Sequence, residues 1–376
     1  MKHLFKTVPN IEMGAGCSKH LNEVCERAGI TRPFIVSDPG VVKCGLLEPA
    51  LAKINDHILY EDVVADPPQA TVEEAVALAV ESRCDGVVGF GGGSSMDVAK
   101  LVAVAALGDQ PLTEMYGVGM VKGSRLPLIQ IPTTAGTGSE ATAVAIVTTG
   151  EHTKSGVVSD QLFADSILLD AELTLGLPPA VTAATGIDAM VHAIEAYTSK
   201  RLKNPISDML ALKALDLLSA NIKTAVQNGA DVAARENMLL GAMFAGQAFA
   251  NAPVGAVHAL AYPLGGIYHI PHGLSNSLVL PHVLRFNAEY AANMYDELAT
   301  VVFGSVEPNG GAYQLADYFY DLATELGLPV TLRAMNIEEG GLQELAEQSM
   351  LQERLLINNP RSVSQDEAFM IYQQAF

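Results

Sequence analysis

The first half of the chain alternates short apolar runs with stretches of helical spacing. Residues 33–37 (P-F-I-V-S) and 86–90 (G-V-V-G-F) are continuous apolar runs of strand length, which is the pattern of strands buried on both faces. The first ends in the turn Asp38-Pro39-Gly40 and the second runs into glycines. Residues 73–82 and 97–107 have helical spacing, 126–131 is a further strand, and β-like runs follow at 143–148 and 166–169. Strand–helix alternation of this kind predicts a parallel sheet covered by helices. From about Pro179 the pattern changes. Residues 181–197, 206–226 and 232–250 are long, rich in Ala, Leu and Met, and free of strand punctuation, and further helical stretches lie at 312–326 and 342–354. The predicted organisation is an α/β domain over residues 1–178 and an all-α domain over 179–376, divided at Leu177-Pro178-Pro179. No internal repeat or low-complexity tail interrupts it.

Composition changes this picture little. At 376 residues two domains are the natural expectation, and 49% hydrophobic against 17% charged residues supplies enough apolar surface for large cores and for subunit contacts. A formal charge of −20 argues against a nucleic-acid partner, because affinity for phosphates comes from Lys and Arg. Cys17, Cys25, Cys44 and Cys84 are scattered without a C-x-x-C pair, which fits reduced thiols of a cytoplasmic protein. The N-terminus lacks the apolar run of a signal peptide, and no stretch of about 18 apolar residues predicts a membrane span.

Candidate chemistry concentrates in four places. Gly91-Gly92-Gly93-Ser94-Ser95-Met96-Asp97 follows a strand and opens a helix, where backbone amides and the helix dipole favour a phosphate. The same turn also arises for steric reasons alone, and both readings stand. Asp38, at the end of an early strand, could accept hydrogen bonds from an adenosine ribose and repel a 2′-phosphate, or could serve only its Asp-Pro-Gly turn. The segment P-T-T-A-G-T-G-S-E from Pro132 to Glu140 sets hydroxyls and glycines after a strand, as a ligand loop or a self-satisfied polar one. Finally, Asp188 and His192 share one helix face by their i,i+4 spacing, and residues 255–283 crowd four of the chain's nine histidines: His258, His269, His272 and His282. His258 and His272 flank a Pro-Gly-Gly break that would let two helix ends meet Asp188 and His192. Three imidazoles and a carboxylate suit Zn(II) or Fe(II), with a position left for substrate. His282 reads as structural and His269 as a pocket residue.

Together, G-G-G-S-S-M-D-V-A-K, P-T-T-A-G-T-G-S-E, G-I-D-A-M-V-H-A-I-E-A-Y, the histidine segment and the closing E-R-L-L-I-N-N-P-R resemble the iron-containing (group III) alcohol dehydrogenase family nearly end to end. The resemblance implies a Rossmann-like nucleotide domain, an all-helical metal domain of the dehydroquinate synthase-like architecture, and an active-site cleft between them. It implies metal ligands Asp188, His192, His258 and His272, and a pyrophosphate held by Gly92, Gly93 and Ser94. Asp97, Thr133, Thr134 and Lys154 would line the rest of an NAD cofactor, with Asp38 as the ribose-binding acid. One departure stands out. Many members carry a second histidine four residues after the third ligand, and here that position is Tyr262. Tyr262 could donate a hydrogen bond, His269 could serve as the proton relay, or no relay is needed. The implied activity is hydride exchange between NAD(H) and a small alcohol or aldehyde, with Fe(II) or Zn(II), in a cytoplasmic homodimer or larger homo-oligomer. Alternatives in other classes are a hydroxyacid–oxoacid transhydrogenase with recycled nucleotide, a dehydroquinate synthase-type lyase, disfavoured by the intact motifs, and a non-catalytic metal- or nucleotide-binding protein.

Overall fold

The computed structural model describes residues 3–108, 110–150 and 153–376. Met1, Lys2, Asp109, Glu151 and His152 lie outside the described residues. The chain forms two compact units, Thr7–Gly176 and Leu177–Phe376, the latter joined by the segment ending at Lys6.

The first unit is built on β1 (Asn10–Met13), β2 (Pro33–Val36), β3 (Ile58–Tyr60), β4 (Gly86–Gly91), β5 (Gly117–Val118), β6 (Leu128–Pro132), β7 (Val144–Thr149), β8 (Thr153–Val158) and β9 (Ser166–Leu169). Its helices are α1 (Leu21–Arg27), α2 (Pro39–Lys43), α3 (Leu47–Leu51), α4 (Gln69–Glu81) and α5 (Gly93–Ala105). The main sheet runs β1-β9-β6-β4-β2-β3 with every pairing parallel. Strands β2, β4 and β6 are buried throughout, β2 and β4 as unbroken apolar runs and β6 with one polar residue, Gln130, whose amide donates to Met96 O at 3.0 Å. Ile35, Val88, Phe90, Ile129, Ile131 and Leu168 point to one face and pack with Leu21, Val24, Leu47 and Ala50 of α1 and α3. On the other face α5 approaches closely because residue 89 is glycine: a Cβ there would stand 2.8 Å from the Ala99 methyl and 2.1 Å from Gln130 Oε1. After β2 the chain adds β3 on one side and then β4 on the other, so the sheet reverses its direction of growth between β2 and β4. Such a switch point opens a crevice at the carboxyl ends of the two strands. A small second sheet has the order β5-β8-β7.

The helical unit comprises α6 (Pro179–Thr198), α7 (Pro205–Gln227), α8 (Val232–Asn251), α9 (Ala256–Tyr268), α10 (His272–Asn287), α11 (Ala292–Phe303), α12 (Gly311–Glu325), α13 (Leu342–Met350), α14 (Glu353–Leu356) and α15 (Gln365–Ala375). Helix α6 is its axis, buried almost all round and packed on by α7, α8 and α10. Its close approach to α7 and α8 depends on Gly186, where a Cβ would meet Met238 Cε at 2.8 Å and Ile222 Cδ1 at 2.9 Å. Among the described residues no helix is long and apolar enough to cross a membrane.

Two expectations need correction. The Pro263-Leu264-Gly265-Gly266 stretch does not break the histidine segment, because α9 continues through Pro263 to Tyr268. The Tyr372 hydroxyl of α15 donates to Leu260 O at 2.6 Å, giving a partner to a carbonyl beside the proline turn. The helix ends instead at His269, whose left-handed backbone (φ 55°) makes an αL cap through His269 N to Gly265 O, with Ile270 N reaching back to Leu264 O. The helical stretch 342–354 is also two elements, α13 and α14, separated at Leu351-Gln352.

Candidate metal centre and nucleotide site

Helix α6 sets Asp188 and His192 one turn apart on a buried face. The first turn of α9 brings His258 to them, and α10 begins with His272. One ligand atom from each of the four lies within 4.8 Å of the others. His192 Nε2 and His258 Nε2 are 3.0 Å apart, and Asp188 Oδ1 is 3.7 Å from His272 Nε2 and 4.0 Å from His258 Nε2. Bonds of about 2.1 Å at angles between those of an octahedron and a tetrahedron set neighbouring ligand atoms about 3.0–3.4 Å apart, so the residues fit a divalent cation. The electrostatics agree. Burial and the neighbouring imidazoles push the His258 ring well below its ordinary value, so it is neutral, as a ligand must be. Burial would raise the Asp188 carboxyl, but the three imidazoles and Asn276 outweigh it and hold it ionised.

Of the four side chains, that of His272 is the one substantially exposed. The side chains of Asp188 and His258 are 2% and 3% exposed, whereas that of His272 is 32% exposed. On that side Tyr262, half-buried and one turn after His258, has its ring 6.0 Å from the His272 ring. His269 is an exposed helix cap. His282 is half-buried, and burial together with Arg285 depresses its ring to about 4.

Several supporting residues carry no signal in a ligand motif. Glu195 Oε2 lies 2.5 Å from His258 Nδ1, and its Oε1 accepts Val257 N–H at 2.7 Å. Burial raises the Glu195 carboxyl to about 7. Asn276 Nδ2 donates to Asp188 Oδ1 at 2.6 Å. The His192 ring stacks on Phe249 with centroids 4.5 Å apart. Gly273 permits α10 to touch α6: a Cβ there would stand 2.4 Å from Ala184 O and 3.2 Å from Asp188 Cβ. The closing N-N-P-R motif is structural too. Asn358 donates to Val254 O at 3.0 Å, Asn359 and Asn287 exchange amide hydrogen bonds of 2.8 and 2.9 Å, and Gly255 packs against Asn359, fastening the start of α9. The retrievable signal was spacing. Glu195 is three residues beyond His192 and Asn276 four beyond His272, so each shares its neighbour's helix face.

In the first unit, the switch point between β2 and β4 gathers the other candidates. Asp38 caps α2 through Oδ1, accepting from Gly40 N at 2.9 Å and Val41 N at 3.1 Å, while Oδ2 accepts from Ser95 Oγ of α5 at 3.3 Å. Steric need accounts for two of the glycines, since a Cβ on Gly91 would strike Ser95 Oγ at 2.6 Å and one on Gly93 would strike Thr137 Cγ2 at 2.8 Å. Gly92 is different. The nearest atom to its missing Cβ is Thr134 Oγ1 at 3.7 Å, so its smallness leaves open space at the N-terminus of α5. Among the described residues no side chain caps that terminus, and the amides of Gly93 and Ser94 open the helix there. Thr133 is buried beside this turn, its amide donating to Gly91 O at 2.9 Å.

Asp97 and Lys154 are engaged by the protein itself. Asp97 accepts from Ser139 Oγ at 2.6 Å and Ile146 N at 2.9 Å, and the wholly buried Lys100 donates to Ser139 Oγ, Thr142 Oγ1 and Val144 O at 2.7, 3.1 and 2.6 Å. This network ties α5 to the end of the P-T-T-A-G-T-G-S-E loop. Lys154 of β8 pairs with Asp66 at 2.5 Å.

Comparison with known proteins places this geometry. Residues 9–171 match the family model "Iron-containing alcohol dehydrogenase", and residues 182–376 match the C-terminal model of the same family. The chain is 38% identical over 379 residues to long-chain-alcohol dehydrogenase 1 of Geobacillus thermodenitrificans, a match covering 98% of this chain and 95% of that protein. It superposes on a crystal structure of 1,3-propanediol oxidoreductase with a TM-score of 0.96 at 31% identity, over 100% of both chains. It likewise superposes on sulfoacetaldehyde reductase from Bifidobacterium kashiwanohense in complex with NAD+, with a TM-score of 0.91 at 29% identity over 100% of this chain and 99% of that one. Both halves of the sequence and the whole course of the backbone lead to the same place: the protein is an enzyme of the iron-containing alcohol dehydrogenase family.

Proposed function

We propose that the protein is a metal-dependent NAD(H) oxidoreductase that interconverts a small alcohol and its aldehyde or ketone. The observation that carries this reading is the cluster of Asp188, His192, His258 and His272, three of them buried and His272 partly exposed. In this reading residues 179–376 serve the metal and substrate and residues 1–178 serve the nucleotide, through Asp38, Gly92, Gly93, Ser94, Asp97, Thr133, Thr134 and Lys154. When bound, a divalent metal supplies Lewis-acid polarisation of the substrate oxygen, and the nicotinamide supplies the hydride donor or acceptor. The four side chains would hold that cation, and three of them, Asp188, His192 and His258, are buried from water. The half-exposed edge at His272 admits the substrate oxygen, and Tyr262 beside it orients that oxygen or passes its proton, with His269 the second candidate for the proton. Three imidazoles and one carboxylate suit Fe(II) and Zn(II) alike, and membership of an iron-containing family puts Fe(II) first. On the strength of its family, we place the enzyme in the cytoplasm as a homodimer or larger homo-oligomer.

Asp38 gives a prediction about the nucleotide. Asp38→Asn keeps an oxygen for the Gly40 and Val41 amides but removes the charge that would repel a 2′-phosphate. Its kcat/KM ratio for NAD over NADP should fall by roughly tenfold, about 1.4 kcal/mol; an unchanged ratio would remove Asp38 from nucleotide selection. The reading as a whole is tested by NAD reduction across short alcohols, diols and hydroxy acids. Steady accumulation of NADH from a single alcohol is expected. An inert chain with metal and NAD both bound would count against a dehydrogenase.

A further inference from the structure

A neutral imidazole has one N–H and one lone pair, and which nitrogen carries the proton decides which can hold a cation. At His258 two independent contacts settle the matter. Glu195 lies against Nδ1 at 2.5 Å, and its other oxygen accepts the Val257 amide at 2.7 Å, with the Gly255 amide donating to the same carboxylate. These backbone partners are donors and favour the charged carboxylate, which accepts an Nδ1 hydrogen. On the opposite edge of the ring, Asn276 turns its amide nitrogen to Asp188 Oδ1 at 2.6 Å, which fixes that end of the side chain as the donor. The same nitrogen lies 3.3 Å from His258 Nε2 and 3.4 Å from His272 Nε2, so both of those atoms face a donor and present lone pairs.

We propose that Glu195 is the positioning residue of the metal centre: it locks His258 in the Nδ1–H tautomer so that Nε2 always faces the cation, and it pins the first turn of α9 to α6. The proposal rests on reading the four-residue cluster as a metal site. Glu195 reaches His258 from the same helix that carries Asp188 and His192, so one element fixes two ligands directly and the third through a hydrogen bond. Outer partners of ligating histidines act in this way, setting both ring orientation and basicity.

Glu195→Gln separates this role from simple packing. The Val257 amide holds the glutamine oxygen on its own side, leaving the NH2 group against Nδ1. That group would draw the Nδ1 lone pair and drive the proton to Nε2, where it blocks the cation. With chelator-stripped protein, competition between the protein and a chromophoric chelator for Co(II) or Zn(II) should show E195Q binding about 10- to 100-fold more weakly than wild type, while its far-UV circular dichroism stays that of wild type. Equal affinity in folded E195Q would overturn the proposal, because a glutamine replaces a protonated glutamate without loss. Histidine 15N spectra of the metal-free wild-type protein test it without any variant: a proton on Nδ1 of His258 is expected, and a proton on Nε2 would overturn it. Failure of wild-type protein to take up Co(II) or Zn(II) at all would overturn the metal reading itself and the proposal with it.

Discussion

Alanine at position 258 is expected to abolish NAD-dependent alcohol oxidation and to leave the purified protein nearly metal-free. His258 supplies the nitrogen 3.0 Å from His192 Nε2 and sits 2% exposed, so no water can readily take its place. Removing it leaves two imidazoles and a carboxylate and strands Glu195, whose buried Oε2 loses the Nδ1 donor. Loss of a first ligand exceeds the 10- to 100-fold affinity cost typical of an outer partner, so a fall in kcat of about a thousandfold or more is expected. Metal content by elemental analysis and steady-state NADH formation together check it. Bound metal retained at wild-type level would remove His258 from the ligand set.

The second large effect is expected at Gly273, which offers no ligand atom itself but packs against the Asp188 turn of α6. Gly273→Ala places a methyl carbon 2.4 Å from Ala184 O and 2.9 Å from its carbonyl carbon, and these are backbone atoms that cannot swing aside. Helix α10 must lift from α6, carrying His272 and Asn276 away from Asp188. Overpacking of this kind costs about 3 kcal/mol. Here the displacement also falls on the metal ligands, so metal affinity should drop along with the thermal midpoint. A variant with unchanged midpoint and metal affinity would show that the two helices can separate without disturbing the centre.

The parallel sheet was legible because β2 and β4 are uninterrupted apolar runs that end in turn residues and β6 is apolar apart from Gln130, and the helical half because α6, α7 and α8 lack strand punctuation. What escaped the sequence has physical reasons. β1 (N-I-E-M) is an edge strand whose residues are mostly exposed, so it carries no apolar run. Proline and two glycines predicted a break in α9, but the helix, packed on α10 and α13 and hydrogen-bonded by Tyr372 of α15, runs on until His269 takes the left-handed conformation. Spacing puts Asp188 and His192 on one face. It does not say that α9 and α10 dock on that face, which depends on Gly273 and on the asparagines at the far end of the chain. Asp97 shows the same limit: its place at the start of α5 was readable, while its engagement by Ser139 and Ile146 depends on a loop far along the sequence.

The most direct measurement is activity as a function of metal content. Protein stripped with a chelator and assayed with NAD and an alcohol that the native enzyme oxidises should be inactive. Fe(II) added without oxygen, or Zn(II), should restore NADH formation in proportion and saturate at about one equivalent per chain, the stoichiometry of a single four-ligand site. Undiminished NAD reduction by the fully stripped protein would contradict a catalytic metal at Asp188, His192, His258 and His272.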